Sequence, residues 1–482
     1  MSVKPSIFKA YDIRGIYPEE INEKNFSQII KAIYVFYKKT LHKDKLKIVI
    51  GRDMRLSSPR LHKIAVSTLV NLGNQVVDIG LVTTPTVYFA VLKYQTDAGI
   101  KISASHNPGQ YNGIKFVYRK GNRIIKVSSV TCMEKVKKIA LEKKLNLKEK
   151  KGRLIVKTDT LTEEINDAEK ELKIKNFKKL KIVADPGNAM GGLFINAICK
   201  KFGLKLIKMN FDLDGRFPNH QPDPLKFHLL KDLQSRVVKE KADLGMAPDG
   251  DGDRIFFITE KGEIIPATII TSFIAEEILT KKPNSKILVD IRYTRNVLNI
   301  CQKYHGIPVI SKVGHALITE HLNRVKAVFA GESSGHYYFR STGGAESSIR
   351  AIFYLLKALT TTDLPISKLL KPFYTAVESG EFNFILDPSV TGEQVMKTIA
   401  KDYSNGKVSR LDGLAVDYKN WRFNIRSSNT EPLLRINIEG DTKKLVDTKL
   451  NELTKKILNL GAKRSRTASV RKRRFVNGWQ AK

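Results

Sequence analysis

Ala247-Pro248-Asp249-Gly250-Asp251-Gly252-Asp253-Arg254 sets three carboxylates at alternate positions between two strand-like stretches, Ala242–Met246 and Ile255–Thr259. Like charges packed so closely repel unless a cation sits among them. The two glycines allow a tight bend, so the side chains can converge through oxygen on one hard ion. The stretch reads as a Mg²⁺ loop joining two strands. Counting Asp249 as position 1, acids fall at 1, 3, 5 and 12 (Glu260), the spacing of a calcium-binding hand. Arg254 stands where that hand requires glycine, and strands flank the loop instead of helices, so the hand is set aside. Acids solvated in a plain turn are the remaining alternative.

Outward from the loop, strands alternate with helical patterns. Upstream lie strand Leu180–Ala184, helix Leu193–Phe202 and strand Leu204–Met209. Downstream lie helix Ala267–Leu279, strand Lys286–Asp290, helix Thr294–Tyr304, strand Pro308–Ile310 and strand Ala327–Ala330. The first 151 residues repeat the scheme: a helix through Leu41, strand Leu46–Ile50, helix Pro59–Leu72, strand Gln75–Ile79, a helix capped at Thr83–Thr86, and strand Ala98–Ile102. Such alternation reads as βαβ units on mixed sheets. The predicted fold is α/β: three similar domains, 1–151, 152–258 and 259–372, then a small α+β domain, 373–460. The Lys-rich run at Lys143–Lys151 suggests the first boundary. In the fourth domain, helix Gly392–Asp402, a strand pair (Val408–Tyr418 and Trp421–Ile425), strand Leu433–Ile438 and helix Thr442–Leu458 are expected. Residues 461–482 lack apolar periodicity and read as a disordered basic tail.

At 482 residues the chain is too long for one core. No apolar run reaches the ~20 residues of a membrane span, and Met1–Ser6 carries no signal-peptide core, so a cytoplasmic location is expected. Cys132, Cys199 and Cys301 are scattered and odd in number, against a disulfide framework or thiolate metal site. Net charge is +36; the last 22 residues hold eight Lys/Arg and no acid, and without them the balance is still +28. The excess is therefore spread along the chain. No nucleic-acid motif is present, so an anionic substrate drawn in by a positive field is preferred to nucleic acid as its explanation.

Three further clusters sit where strands end. Ser105, beside His106, follows Ala98–Ile102 without the Gly-x-Ser-x-Gly pattern of a hydrolase elbow. A phosphoryl group on it would add anionic oxygen to a three-Asp ion; an ordinary capping turn is the alternative. Arg426-Ser427-Ser428-Asn429-Thr430 gathers a guanidinium, hydroxyls, an amide and successive N–H groups, suited to gripping a phosphate. Glu332, Ser334 and His336 fall at i, i+2 and i+4, one face of an extended segment, suited to sugar hydroxyls.

Together these motifs resemble the α-D-phosphohexomutases, in the phosphomannomutase/phosphoglucomutase branch. The resemblance runs over about residues 7–460 and rests on Ser-His-Asn-Pro, Asp-Gly-Asp-Gly-Asp-Arg, Gly-Glu-x-Ser-Gly-His and Arg-x-Ser-Asn-Thr. It implies four domains around a central cleft, each lending one loop. It implies an isomerase that moves phosphate between O1 and O6 of a hexose phosphate through a phosphoserine and a hexose 1,6-bisphosphate, acting as monomer or dimer. By this resemblance Ser105 is the phosphoserine and, with Asp249, Asp251 and Asp253, a ligand of Mg²⁺. Glu332 and Ser334 read sugar hydroxyls, while Arg426, Ser428, Asn429 and Thr430 hold the non-reacting phosphate. Tyr11, Arg14, His106, Lys115, Arg254, His315 and His336 match cleft positions, with Lys115 and His336, assisted by Arg14, as candidates for proton traffic. Arg292 stands where the family often has Lys. Residues Phe339–Ser348 lack the aromatic and Asp-Asp-Gly pattern frequent in mannose/glucose enzymes, and their Ser-Thr-Gly character leans toward phosphoglucosamine mutase, the alternative activity. A non-catalytic sugar-phosphate or nucleic-acid binder is the alternative of another class.

Overall fold

The computed structural model describes residues 3–129, 131–142, 145, 147–427 and 433–464. The first sheet contains β1 (Ile13–Ile16), β2 (Lys47–Arg52), β3 (Gln75–Leu81), β4 (Ala98–Ile102), β5 (Tyr111–Lys120), β6 (Arg123–Lys126) and β7 (Arg153–Val156). Its order is β1-β5-β4-β2-β3-β7, with β6 beside β5. The second holds β8 (Lys181–Ala184), β9 (Lys205–Lys208), β10 (Leu244–Pro248), β11 (Ile255–Ile258) and β12 (Ile264–Ile265), in the order β12-β11-β10-β8-β9. The third is β14 (Ile307–Ser311), β13 (Lys286–Asp290), β15 (Phe329–Gly331), β16 (Tyr337–Phe339), in that spatial order.

These three sheets share one plan. In each, three neighbouring strands run parallel (β4-β2-β3, β10-β8-β9, β15-β13-β14) and a hairpin partner pairs antiparallel to the first of them (β5, β11, β16). The connection closing that hairpin carries Ser105, the aspartates, or Glu332. Each loop therefore leaves the carboxyl end of a parallel strand, where ligands of α/β sheets bind. β10 and β11 are buried on both faces, as such strands require.

The fourth sheet is antiparallel: β17 (Val377–Glu378), β18 (Phe382–Leu386), β19 (Lys407–Ser409), β20 (Leu414–Asp417), β21 (Trp421–Ser427), β22 (Leu433–Gly440) and β23 (Ala462–Arg464). The helices Gly392–Asp402 and Lys443–Asn459 pack on it. The Arg426 loop joins β21 to β22, so the hairpin position recurs.

Two pairings bear on the block edges, and two expectations need correction. β7 pairs parallel with β3, so the first sheet takes in residues 153–156. β12 pairs with β11, so the second sheet runs past 258, and one continuous apolar core spans the second and third blocks. Val408–Tyr418 is two strands, because Gly413, at φ +73°, turns the chain between β19 and β20. Residues 462–464 pair with β18; an edge strand is held by backbone hydrogen bonds and needs no apolar pattern. The rest of the basic tail lies outside the described residues. Among the described residues no helix is long and apolar enough to cross a membrane.

Candidate functional site

Ser105 and the aspartates meet. Ser105 Oγ donates within reach of two carboxylates, at 3.0 Å from Asp249 Oδ2 and 2.9 Å from Asp251 Oδ1, and lies 3.3 Å from His106 Nδ1. The loops touch so closely that a Cβ on Gly250 would lie 2.3 Å from the Ser105 carbonyl oxygen, which explains glycine there. Ser105 itself sits at φ +50°, a left-handed conformation costly for a residue with a side chain and concentrated at functional sites. The strained loop is held by Arg55, which is fully buried. Its guanidinium donates to the carbonyls of Ser105 (2.8 Å), Asn107 (2.5 Å), Pro108 (2.7 Å) and Tyr111 (2.8 Å), while Asp53 balances its charge at 3.2 Å. From the second block, Gln221 donates to the His106 carbonyl at 2.5 Å.

Asp249, Asp251 and Asp253 are buried and bring carboxylate oxygens within 4.8 Å of one another. Lys115 Nζ bridges Asp251 and Asp253 at 2.7 Å each, and Thr84 Oγ1 donates to Asp251 at 2.6 Å. Burial and the two other carboxylates push Asp249 well above the ordinary carboxyl range. At Asp253 burial acts in the same sense, but Lys115 and His336 overcome it and hold the group well below that range. Three carboxylates and a serine oxygen form an all-oxygen set of the type Mg²⁺ takes. The strongly raised Asp249 marks an excess of negative charge that Lys115 alone does not relieve, so the residues fit such an ion.

Glu332, Ser334 and His336 are not on an extended segment. The Gly335 N–H donates to the Glu332 carbonyl and Glu332 N–H to the His336 carbonyl, forming a tight turn with Gly335 at φ +88°. The turn brings the three side chains into contact: His336 Nδ1 lies 2.8 Å from Glu332 Oε2 and 2.9 Å from Ser334 Oγ, and its Nε2 faces Asp253 at 3.3 Å. Burial works against the His336 cation, yet Asp253 and Glu332 raise its pKa to about 9, so it is an imidazolium at neutral pH. Arg254 lies 3.3 Å from the same ring. Asp253, His336 and Glu346 also cluster within 4.8 Å, but His336 and the Lys126 ion pair already supply the positive charge there. Arg292 pairs with Asp290 (2.9 Å) and reaches Glu332 at 3.2 Å, with Tyr338 donating to the other Glu332 oxygen at 2.9 Å. Arg14 pairs with Asp12 and donates to Asn107 at 2.7 Å. Tyr11 meets the His315 ring edge-on at 5.3 Å, and His315 stacks on His336 at 6.2 Å.

Arg426 is buried at the end of β21. It meets Glu381 at 3.2 Å, and Arg435 shares that carboxylate at 3.4 Å. Burial and nearby Arg292 both press against its positive charge, and its Nε has no acceptor among the described residues. Ser428, Asn429 and Thr430 lie outside the described residues. Sequence reasoning missed Arg55, Thr84, Gln221, Asp290 and Glu381. For Arg55 and Asp290 a signal existed, since Asp290 closes β13 and Arg55 follows soon after β2 ends at Arg52, the strand ends where the other site residues were found.

The α/β scaffold therefore gathers an acidic cluster that could hold a metal beside a serine, and separately two arginines on the Glu381 carboxylate. Models of phosphoglucomutase/phosphomannomutase domains I, II and III (each alpha/beta/alpha) match residues 5–143, 159–262 and 266–377, and that of the C-terminal domain matches 387–479. The chain belongs to the phosphoglucomutase/phosphomannomutase family. It is 35% identical to a phosphomannomutase of Vibrio cholerae over 94% of this chain and 98% of that one. Against a phosphomannomutase of Methanocaldococcus jannaschii the identity is 36%, over 95% and 98%. A crystal structure of a phosphoglucomutase/phosphomannomutase family protein from Burkholderia thailandensis superposes with a TM-score of 0.85 at 29% identity, covering 96% of this chain and 99% of that one. The chain is thus a phosphohexomutase, an isomerase.

Proposed function

We propose that the protein interconverts hexose 1- and 6-phosphates of the mannose and glucose series through a phosphoserine at Ser105. The observation that carries this is the meeting of Ser105 with Asp249 and Asp251 across two separate blocks. In the resting enzyme Ser105 carries phosphate. A hexose monophosphate enters with its own phosphate held by Arg426 and the Ser428, Asn429 and Thr430 loop. Phosphoryl passes from Ser105 to the free hydroxyl, giving a 1,6-bisphosphate that turns over within the cleft and returns its other phosphate to Ser105.

Such transfer leaves little covalent work for the protein beyond positioning and charge. Mg²⁺, held by Asp249, Asp251, Asp253 and Ser105, would supply Lewis acidity to the transferring phosphoryl oxygens. Arg254 offsets charge on the same group. Lys115 and His336, with Arg14 nearby, carry proton traffic at the sugar hydroxyl; Glu332, Ser334 and Arg292 face the sugar, and Tyr11, His106 and His315 line the cleft. Hexose 1,6-bisphosphate serves as intermediate and as activator that rephosphorylates Ser105. The mannose and glucose reading follows the names of the full-length relatives; phosphoglucosamine mutase remains the competing substrate assignment for residues Phe339–Ser348.

A panel of mannose, glucose and glucosamine 1-phosphates in a coupled assay, with hexose 1,6-bisphosphate and Mg²⁺, tests this. Turnover of the first two and phosphate mapped to Ser105 by peptide mass spectrometry is the expected result. Preference for the amino sugar would reassign the substrate, and a phosphate found elsewhere would remove Ser105 from the mechanism.

A further inference from the structure

His315 is held by two buried charges that the motifs above do not include. β6 is stitched to the turn after β16: Ile124 N–H donates to the Gly343 carbonyl at 3.0 Å, and the Asn323 amide donates to the same carbonyl at 2.9 Å. That seam sets Lys126, the last residue of β6, against Glu346, which bridges back to Tyr338. Lys126 Nζ donates to Glu346 Oε1, and both side chains are almost wholly buried (3% and 0% exposed). The ammonium also lies over the rings of Tyr88 (5.1 Å) and Tyr338 (5.4 Å), whose faces join Glu346 in supporting the cation against burial, which lowers its pKa.

The same Nζ stands 3.3 Å from His315 Nδ1. An ammonium offers only N–H donors, so the nitrogen it faces must accept. A neutral imidazole carries one N–H, which then lies on Nε2. The competing arrangement, Nδ1–H donating to Glu346 Oε1, has to span 3.6 Å and would point an N–H at the ammonium. Protonating both nitrogens is opposed by burial and by Lys126, with Glu346 acting the other way. Two further rings pack on it: Tyr11 meets it edge-on and His336 stacks on it.

Resting on the mutase reading of the cleft, we propose that Lys126 and Glu346 are positioning residues that hold His315 as a neutral Nε2–H tautomer, so that it donates a hydrogen bond to substrate oxygen and takes no proton. The side-chain resonances of ¹⁵N-histidine-labelled full-length protein test the tautomer, with His315 identified by its loss in His315→Asn. A protonated Nε2 and bare Nδ1 at pH 7 are expected; a bare Nε2 or an imidazolium overturns the proposal. Removing the pair together (Lys126→Met with Glu346→Gln) should release a tautomer mixture and lower kcat/KM on the order of tenfold. Lys126→Arg, which keeps a charged donor, should restore the wild-type tautomer and most of the activity. An unchanged tautomer and unchanged kcat/KM in a double variant that melts like wild type also overturns it. If the double variant does not fold, the wild-type spectrum decides. Wild-type turnover of hexose 1-phosphate is measured in parallel, so its absence would sink the mutase reading while the tautomer stays readable.

Discussion

Around Ser105 three buried carboxylates face Lys115, Arg254 and the His336 cation, whereas around Arg426 two guanidiniums share the single carboxylate of Glu381, with Arg292 adding to the positive side. Crowding at the first pushes one carboxyl, Asp249, upward; crowding at the second presses on one guanidinium, Arg426. Buried charge is tolerated only when paired, so the group pushed off its ordinary value marks where a partner of opposite sign would be most stabilising. In the proposed function the first end takes the cation and the transferring phosphoryl group, the second the phosphate that stays put.

If the ends divide the work in this way, disabling the serine end should cost most. Ser105→Ala is expected to lower steady turnover by on the order of a thousandfold or more, with melting close to wild type, because no other group accepts the phosphoryl. Retained mutase activity in that variant would break the comparison outright. Asp251→Asn removes one carboxylate charge shared by Ser105, Lys115 and Thr84. The expected result is a rate loss of about a hundredfold and a flattened Mg²⁺ titration of activity; an unaltered titration would move the metal elsewhere. At the other end, Arg426→Ala and Ser428→Ala should raise KM by about tenfold or more while changing kcat less, since the grip binds ground and transition states alike. A kcat loss with constant KM would assign that loop to the chemistry.

The smallest effect probes the joint behind the aspartate loop. Glu164 is buried, accepts from Thr86 at 2.7 Å, and burial raises its pKa to about 7. The folded state therefore holds this proton more tightly than the unfolded one. Its destabilising contribution grows as pH rises from about 4.5 to about 7 and then levels off. Glu164→Gln removes it, so the melting temperature of the variant relative to wild type should climb across that window, by at most a few kcal/mol of stability. A constant difference from pH 4.5 to 8 would show that the carboxyl is not held protonated.

The loops were legible because their chemistry is local. Three acids in five residues, glycines between them, and a serine or arginine directly after a β-run all lie within one loop's reach, and strand–helix alternation fixed the class of fold. What escaped acts across long sequence separations. Arg55 grips a loop 50 residues away, and Lys126 meets Glu346 across 220 residues. No periodicity encodes such a pairing. Sheet membership escapes for a related reason: it is decided by backbone pairing, as β7 and β12 show.

By itself, then, the sequence determined which residue types stand at the ends of which strands, because side-chain chemistry and backbone preference are properties of short stretches. Only the tertiary structure decided which of them meet. The approach of Ser105 to Asp249, the turn that folds His336 onto Glu332, and the ammonium that orients His315 all depend on how separate sheets pack, and packing is set by the summed burial of many distant residues.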